Sequence, residues 1–138
     1  MIRRTTDYIV VHCSATKPSQ DIGAAEIRRW HVEDNGWSDI GYHQVIRRNG
    51  AIELGRDLKV SGAHVVGYNK LSVGVCLVGG VNADGAPENN FTPEQFDSLR
   101  LTLDYWKRIY PDARVMGHRD FPGVNKACPC FDVSTFYV

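Results

Sequence analysis

The sequence carries no net charge, since 16 Lys+Arg balance 16 Asp+Glu over 138 residues. That removes the usual electrostatic basis for non-specific nucleic-acid or anionic-membrane binding, and neither is expected as a partner. No apolar run approaches the ~20 residues of a membrane span. The N-terminus, with Arg3 and Arg4, lacks the apolar stretch of a secretory signal, so any export is expected to be indirect. Cysteine is sparse: Cys13, Cys76, Cys128 and Cys130. A signal-less chain with an ordinary core needs no disulfide, so free thiols are expected. Repeats, linkers and low-complexity segments are missing too. What is there, 43% apolar and 23% charged residues, fits one globular domain over 1–138.

The apolar pattern predicts an α/β fold: a central mixed sheet flanked by helices. Asp7 to His12 is a β-branched run of strand length, with His12 as its last residue. Ile27, Trp30 and His31 recur at helical spacing between 24 and 35, and Gly36 follows as a stop. The runs 41–48 and 51–54 flank Asn49-Gly50, a strong hairpin signal. Further strands are predicted over 72–79 and 114–117. Thr92 as N-cap, Pro93 at the first helical position and Gln95 closing a capping box predict a helix over 92–110. That helix is expected to bury Phe96, Leu99, Leu103 and Trp106.

Chemistry concentrates at the strand ends. His12 and His118 both close predicted strands, and Cys128 follows ten positions after His118. Three ligands of nitrogen or sulfur type, with a fourth position left for water, are the pattern of a catalytic zinc site. Ligands this far apart have no diagnostic spacing, so residues alone leave open two satisfied histidines and a buried thiol. The segment 55–71 has little periodicity but carries His64, Tyr68 and Asn69, the make-up of a loop that walls a site.

Six strings occur in an order that narrows the choice: Val11-His12-Cys13-Ser14-Ala15-Thr16, Gly41-Tyr42-His43, Gly62-Ala63-His64, Gly67-Tyr68-Asn69, Gly117-His118-Arg119-Asp120 and Lys126-Ala127-Cys128-Pro129. With them the chain resembles the zinc N-acetylmuramoyl-L-alanine amidases related to peptidoglycan recognition proteins, in particular the endolysins of T-odd phages. The likeness runs from about Asp7 to Val133. It implies one zinc ion per chain on His12, His118 and Cys128, with Tyr42 and Lys126 as catalytic residues. His64 and Asn69 match substrate-groove positions. Binding relatives that have lost catalysis lack the cysteine, so Cys128 favours an enzyme. The implied reaction is hydrolysis of the amide joining N-acetylmuramic acid to L-alanine, with bacterial peptidoglycan as partner. An endolysin stays in the host cytoplasm until a holin-type lesion admits it to the wall, which agrees with the missing signal. The resemblance also brings in phage RNA polymerase as a second candidate partner, through an N-terminal segment of which six residues precede Asp7 here. A monomer is expected.

The other candidates take supporting roles. Tyr42, with a reference pKa of ~10, is a poor base and a better hydrogen-bond donor. His43 should point to the opposite face of the strand from Tyr42 and act structurally. His31 is expected to pack between helix and sheet, Asp120 to orient a ligand ring, and Cys13 to face away from the metal. Cys130 departs from the family, which carries a small non-thiol residue there, and is expected to be inert. A thiol hydrolase using Cys128 as nucleophile without metal is the rival reading, separable by chelation.

Overall fold

Three β-branched runs pair side by side and set the architecture. The computed structural model describes residues 1–137, so the last residue of the expected domain, Val138, lies outside the described residues. Strands β1 (Tyr8–Cys13), β2 (Gln44–Ile46), β3 (Ile52–Leu54), β4 (Ser72–Leu77) and β5 (Arg114–Gly117) form one sheet in the order β3-β2-β4-β1-β5. β1 runs parallel to both β4 and β5, and β2 runs parallel to β4. Only β3 is antiparallel, so the sheet is mixed, as predicted. β1 and β4 are covered on both faces, which is why they read as unbroken apolar runs rather than alternating ones.

Alternation sorts the side chains between two layers. Ile9, Val11, Val73, Val75 and Leu77 meet helix α2 (Pro93–Ile109) through Leu99, Leu103 and Trp106. Each such side chain, fully buried, contributes ~1.5–3 kcal/mol. On the other face Val45 and Cys76 pack with Ala24 and Ile27 of helix α1 (Ala24–Arg29), while Val10 packs with Val65 and Phe121. A short α3 (Val133–Phe136) closes the described chain.

The capping box at α2 forms as predicted: Thr92 Oγ1 accepts from Gln95 N at 3.1 Å, and Gln95 Oε1 accepts from Thr92 N at 3.0 Å. Gln95 does more than cap. Its buried Nε2 also donates to Val78 O, which fastens the helix to the sheet. The hairpin is present, but its loop is Arg48-Asn49-Gly50, with Arg47 N bonded to Ala51 O and Gly50 at φ +87°. A three-residue loop of this kind needs a left-handed residue at its end, which glycine supplies. The strand expected over 41–48 contracts to three residues, because the backbone of 41–43 bonds to Ala63, Arg56 and Gly55 instead. The helix expected over 24–35 turns into a π-helical turn at Trp30–Asp34. Such turns often sit beside functional sites. Here it carries His31 toward Trp37, whose N–H donates to His31 O at 3.0 Å.

Candidate metal centre and cleft

Sheet topology assembles what sequence spacing does not. Val11 is level with Gly117, so His12 and His118 leave the carboxyl ends of adjacent parallel strands side by side, with ring centroids 4.6 Å apart. Crevices at the carboxyl ends of parallel strands are the usual place for ligand sites in α/β sheets. Asp120 caps the 3₁₀ turn that follows β5, over His118–Asp120, by accepting Gly117 N–H at 2.9 Å. It thus shapes the turn that presents His118, where a carboxylate bonded to a ligand ring was expected.

Cys128 arrives from the following loop, held by Arg119 N bonded to Cys128 O at 2.9 Å. Ser14 N points to β4, where it bonds Leu77 O, so Cys13 N points the other way, past the end of β5. That amide donates to Cys128 Sγ at 3.1 Å. The donor atoms of His12, His118 and Cys128 all lie within 4.8 Å of one another. Three such atoms share a centre at most about 2.8 Å from each, against ~2.0–2.3 Å for zinc bonds to nitrogen and sulfur, so small side-chain shifts let one ion reach all three. Burial first, then neighbouring His64 and His118, hold His12 well below the usual histidine pKa. His118 is lowered by burial and then by the Lys126 ammonium. Both rings are therefore neutral near pH 7 and keep a lone pair for a cation.

Tyr42 sits with its ring centroid 5.1 Å from that of His12. Burial, followed by the nearby Cys76 and Cys128, raises its phenol well above 10, so it keeps its proton and acts as a donor. Lys126 is exposed and lines the same cleft, as do Cys128 and His118. This cleft, about 300 Å³, opens into a groove of about 570 Å³ that shares Trp37, Ala63, His64, His118 and Lys126 with it.

His64 and Asn69 both line the groove, but each is partly committed within the protein. Asn69 Oδ1 accepts from His64 N at 2.9 Å and Val65 N at 2.8 Å. The His64 ring is buried, with Nδ1 2.8 Å from His12 Nε2 and Nε2 3.3 Å from Ser72 Oγ. His43 is buried, lines neither the cleft nor the groove, and bridges Val60 O and Gly74 N. His31 departs from expectation: it is half-buried in the cleft wall, accepts from Gly41 N at 2.9 Å, and leans on Trp37 at 4.6 Å. Cys13 and Cys130 turn into the core on the α2 side, their sulfurs 4.0 Å apart.

Two contributors were missed in the sequence. Arg56 holds the loop that carries Tyr42, donating to Ile40 O at 2.9 Å and Ser61 O at 2.7 Å. Trp37 was masked by the helix predicted just before it, although a tryptophan directly after a stop glycine is a clue to a wall residue.

The profile of the N-acetylmuramoyl-L-alanine amidase family matches residues 3–131. The endolysin of Enterobacteria phage K11 is 53% identical over 131 residues, covering 95% of this chain and 85% of that one. The endolysin of Escherichia phage T7 is 49% identical over 135 residues, covering 98% and 87%. Among solved structures, the N-acetylmuramoyl-L-alanine amidase LysC from Clostridium intestinale superposes with a TM-score of 0.78 at 27% identity, covering 96% of this chain and 83% of that one.

Proposed function

Because the chain belongs to the N-acetylmuramoyl-L-alanine amidase family, we propose that it works with one zinc ion held by His12, His118 and Cys128. It is an amidase of the phage endolysin type, and the bond it cleaves is the amide between N-acetylmuramic acid and L-alanine in peptidoglycan. The observation that carries the metal reading is the convergence of two neutral imidazoles and a thiol at the carboxyl ends of β1 and β5. That donor set suits zinc and leaves a fourth position open. When bound, zinc lowers the pKa of a coordinated water to ~7 and polarises a carbonyl.

The chain's own groups then act on the scissile amide. Lys126 sets a positive charge where the carbonyl oxygen gains negative charge, and Tyr42 donates a hydrogen bond to the same oxygen or to the attacking water. Cys13 N–H, donating to Cys128 Sγ, orients the sulfur and moderates its charge. The groove beside the cleft is proposed to seat the glycan and stem peptide, with His64 and Asn69 along its wall. Since Asn69 Oδ1 is already taken, its amide NH₂ is the group left for a ligand. No helix among the described residues is long and apolar enough to cross a membrane. Access to the wall from the host cytoplasm through a holin-type lesion is part of the same proposal.

Metal analysis combined with turbidity loss of purified cell walls tests this reading. About one zinc per chain is expected, with activity abolished by prolonged chelation and restored by zinc. Lysis is expected to release free amino groups on L-alanine without new reducing sugar ends. Full activity in verified metal-free protein would return the field to a thiol hydrolase on Cys128.

A further inference from the structure

We propose that His64 is a positioning residue of the metal centre, fixing the tautomer and orientation of His12, and that Ser72 sets the direction of its hydrogen bonds. The inference rests on the reading of His12 as a metal ligand. Its physical basis is a buried chain of hydrogen bonds with only one self-consistent polarity. Ser72 Oγ–H donates to Tyr68 O at 2.8 Å, and a carbonyl can only accept. Ser72 Oγ therefore accepts from His64 Nε2–H, across 3.3 Å. A neutral His64 protonated on Nε2 has a bare Nδ1, which lies 2.8 Å from His12 Nε2. His12 is thereby the donor, with its proton on Nε2. Its Nδ1 is left with a lone pair and has no hydrogen-bond partner among the described residues.

The berth of the His64 ring is built for it. Gly74 of β4 faces the ring, and a Cβ there would stand 2.6 Å from His64 Nδ1. Asn69 Oδ1 clamps the His64 and Val65 amides, and the rings of His12 and His64 meet edge-on at 81° with centroids 4.9 Å apart. Metal-binding histidines usually give their second N–H to a carboxylate, a carbonyl or water, which fixes the tautomer. Here the acceptor is a neutral imidazole. It orients His12 without adding a negative charge beside a site where bound zinc would hold Cys128 as thiolate.

The test compares wild type, His64→Leu, His64→Asn and Ser72→Ala, using zinc affinity by chelator competition and the visible spectrum of the Co²⁺-loaded protein. His64→Leu removes the acceptor and is expected to weaken zinc by roughly 10–100-fold, the usual range for a lost partner of a ligand, with an altered Co²⁺ spectrum. The Asn side chain places Oδ1 near the former Nδ1, so His64→Asn is expected to regain most of the affinity. Ser72→Ala, a small change in a buried strand, is expected to weaken zinc several-fold. Should His64→Leu fail to fold, the Asn and Ser72→Ala proteins decide. Wild-type affinity and spectrum in His64→Leu, with only KM on cell walls raised, would make His64 a substrate contact and overturn the proposal. So would a folded His64→Asn protein no better than His64→Leu, or an unchanged site in Ser72→Ala. A wild type that binds no zinc would instead overturn the metal reading itself.

Discussion

Acidification should destabilise the metal-free protein through His43, by an amount the structure allows to be worked out. The His43 ring is 3% exposed. Its Nε2–H donates to Val60 O at 2.8 Å, and Nδ1 accepts from Gly74 N–H at 3.0 Å. Protonation would set a new N–H against the Gly74 amide and leave a buried charge. Burial accordingly lowers its pKa from 6.5 to about 4, with the Val60 carbonyl pulling the other way. The unfolded chain takes up a proton as pH falls through ~6.5, whereas the folded chain refuses it until about 4. Stability from this group is therefore complete above pH ~6.5, drains away between ~6.5 and ~4, and changes no further below. At 1.36 kcal/mol per pKa unit the loss is about 3 kcal/mol, a sizeable part of the ~5–15 kcal/mol that holds an ordinary domain together.

The assay is urea unfolding of metal-free wild type and His43→Asn at several values between pH 7 and 4.5. His12 and His64 are also held low by burial and add to the acid slope in both proteins, so the difference between slopes isolates His43. Asn Oδ1 can keep the bond from Gly74 N–H but loses the one to Val60 O. The variant is therefore expected to start about 1–3 kcal/mol less stable at pH 7 and to converge on wild type as pH falls. Parallel slopes in the two proteins would refute the reasoning.

Two further results are expected. Cys128→Ser should lose zinc, wall lysis and some thermal stability, since metal binding is coupled to folding. Cys130→Ser should keep all three, because the Cys130 thiol, raised to about 11 by burial and then Cys13, rests 3.2 Å from Gly80 O on the core side; zinc loss in Cys130→Ser would reverse the assignment. Tyr42→Phe and Lys126→Ala should each retain zinc while turnover on cell walls falls roughly 10²–10³-fold, as for other lost donors to developing charge. Near-wild-type turnover in either one would remove that residue from the mechanism.

The parts of the fold that were legible in the sequence are those fixed by neighbours along the chain. The runs at 7–12 and 72–79 became strands because each carries its own apolar, doubly buried pattern, while 114–117 pairs at the edge of the sheet. Thr92, Pro93 and Gln95 cap a helix within one turn of each other. Where the backbone's partners lie far away, local pattern misleads. The Gly41 and Tyr42 carbonyls accept from Ala63 N and Arg56 N, which takes this segment out of the strand its residues suggest. The π turn after α1 is likewise invisible to a count of 3.6 residues per turn, and with it the placing of His31 in the cleft wall.

The candidate metal centre shows the same division at closer range. His12 and His118 could be named as strand-end residues, but the sequence holds nothing that aligns them across more than a hundred positions. The alignment comes from β5 stopping at Gly117, level with Val11, where Asp120 takes up the Gly117 amide. That early stop does two things at once. It lets His118 turn inward beside His12, and it leaves Cys13 N–H outside the ladder, pointing at Cys128 Sγ. A β5 two residues longer would draw the Cys13 amide into sheet pairing, cost Cys128 its donor and carry His118 into the strand. The point at which an edge strand turns away is thus what gathers three ligands from both ends of the chain.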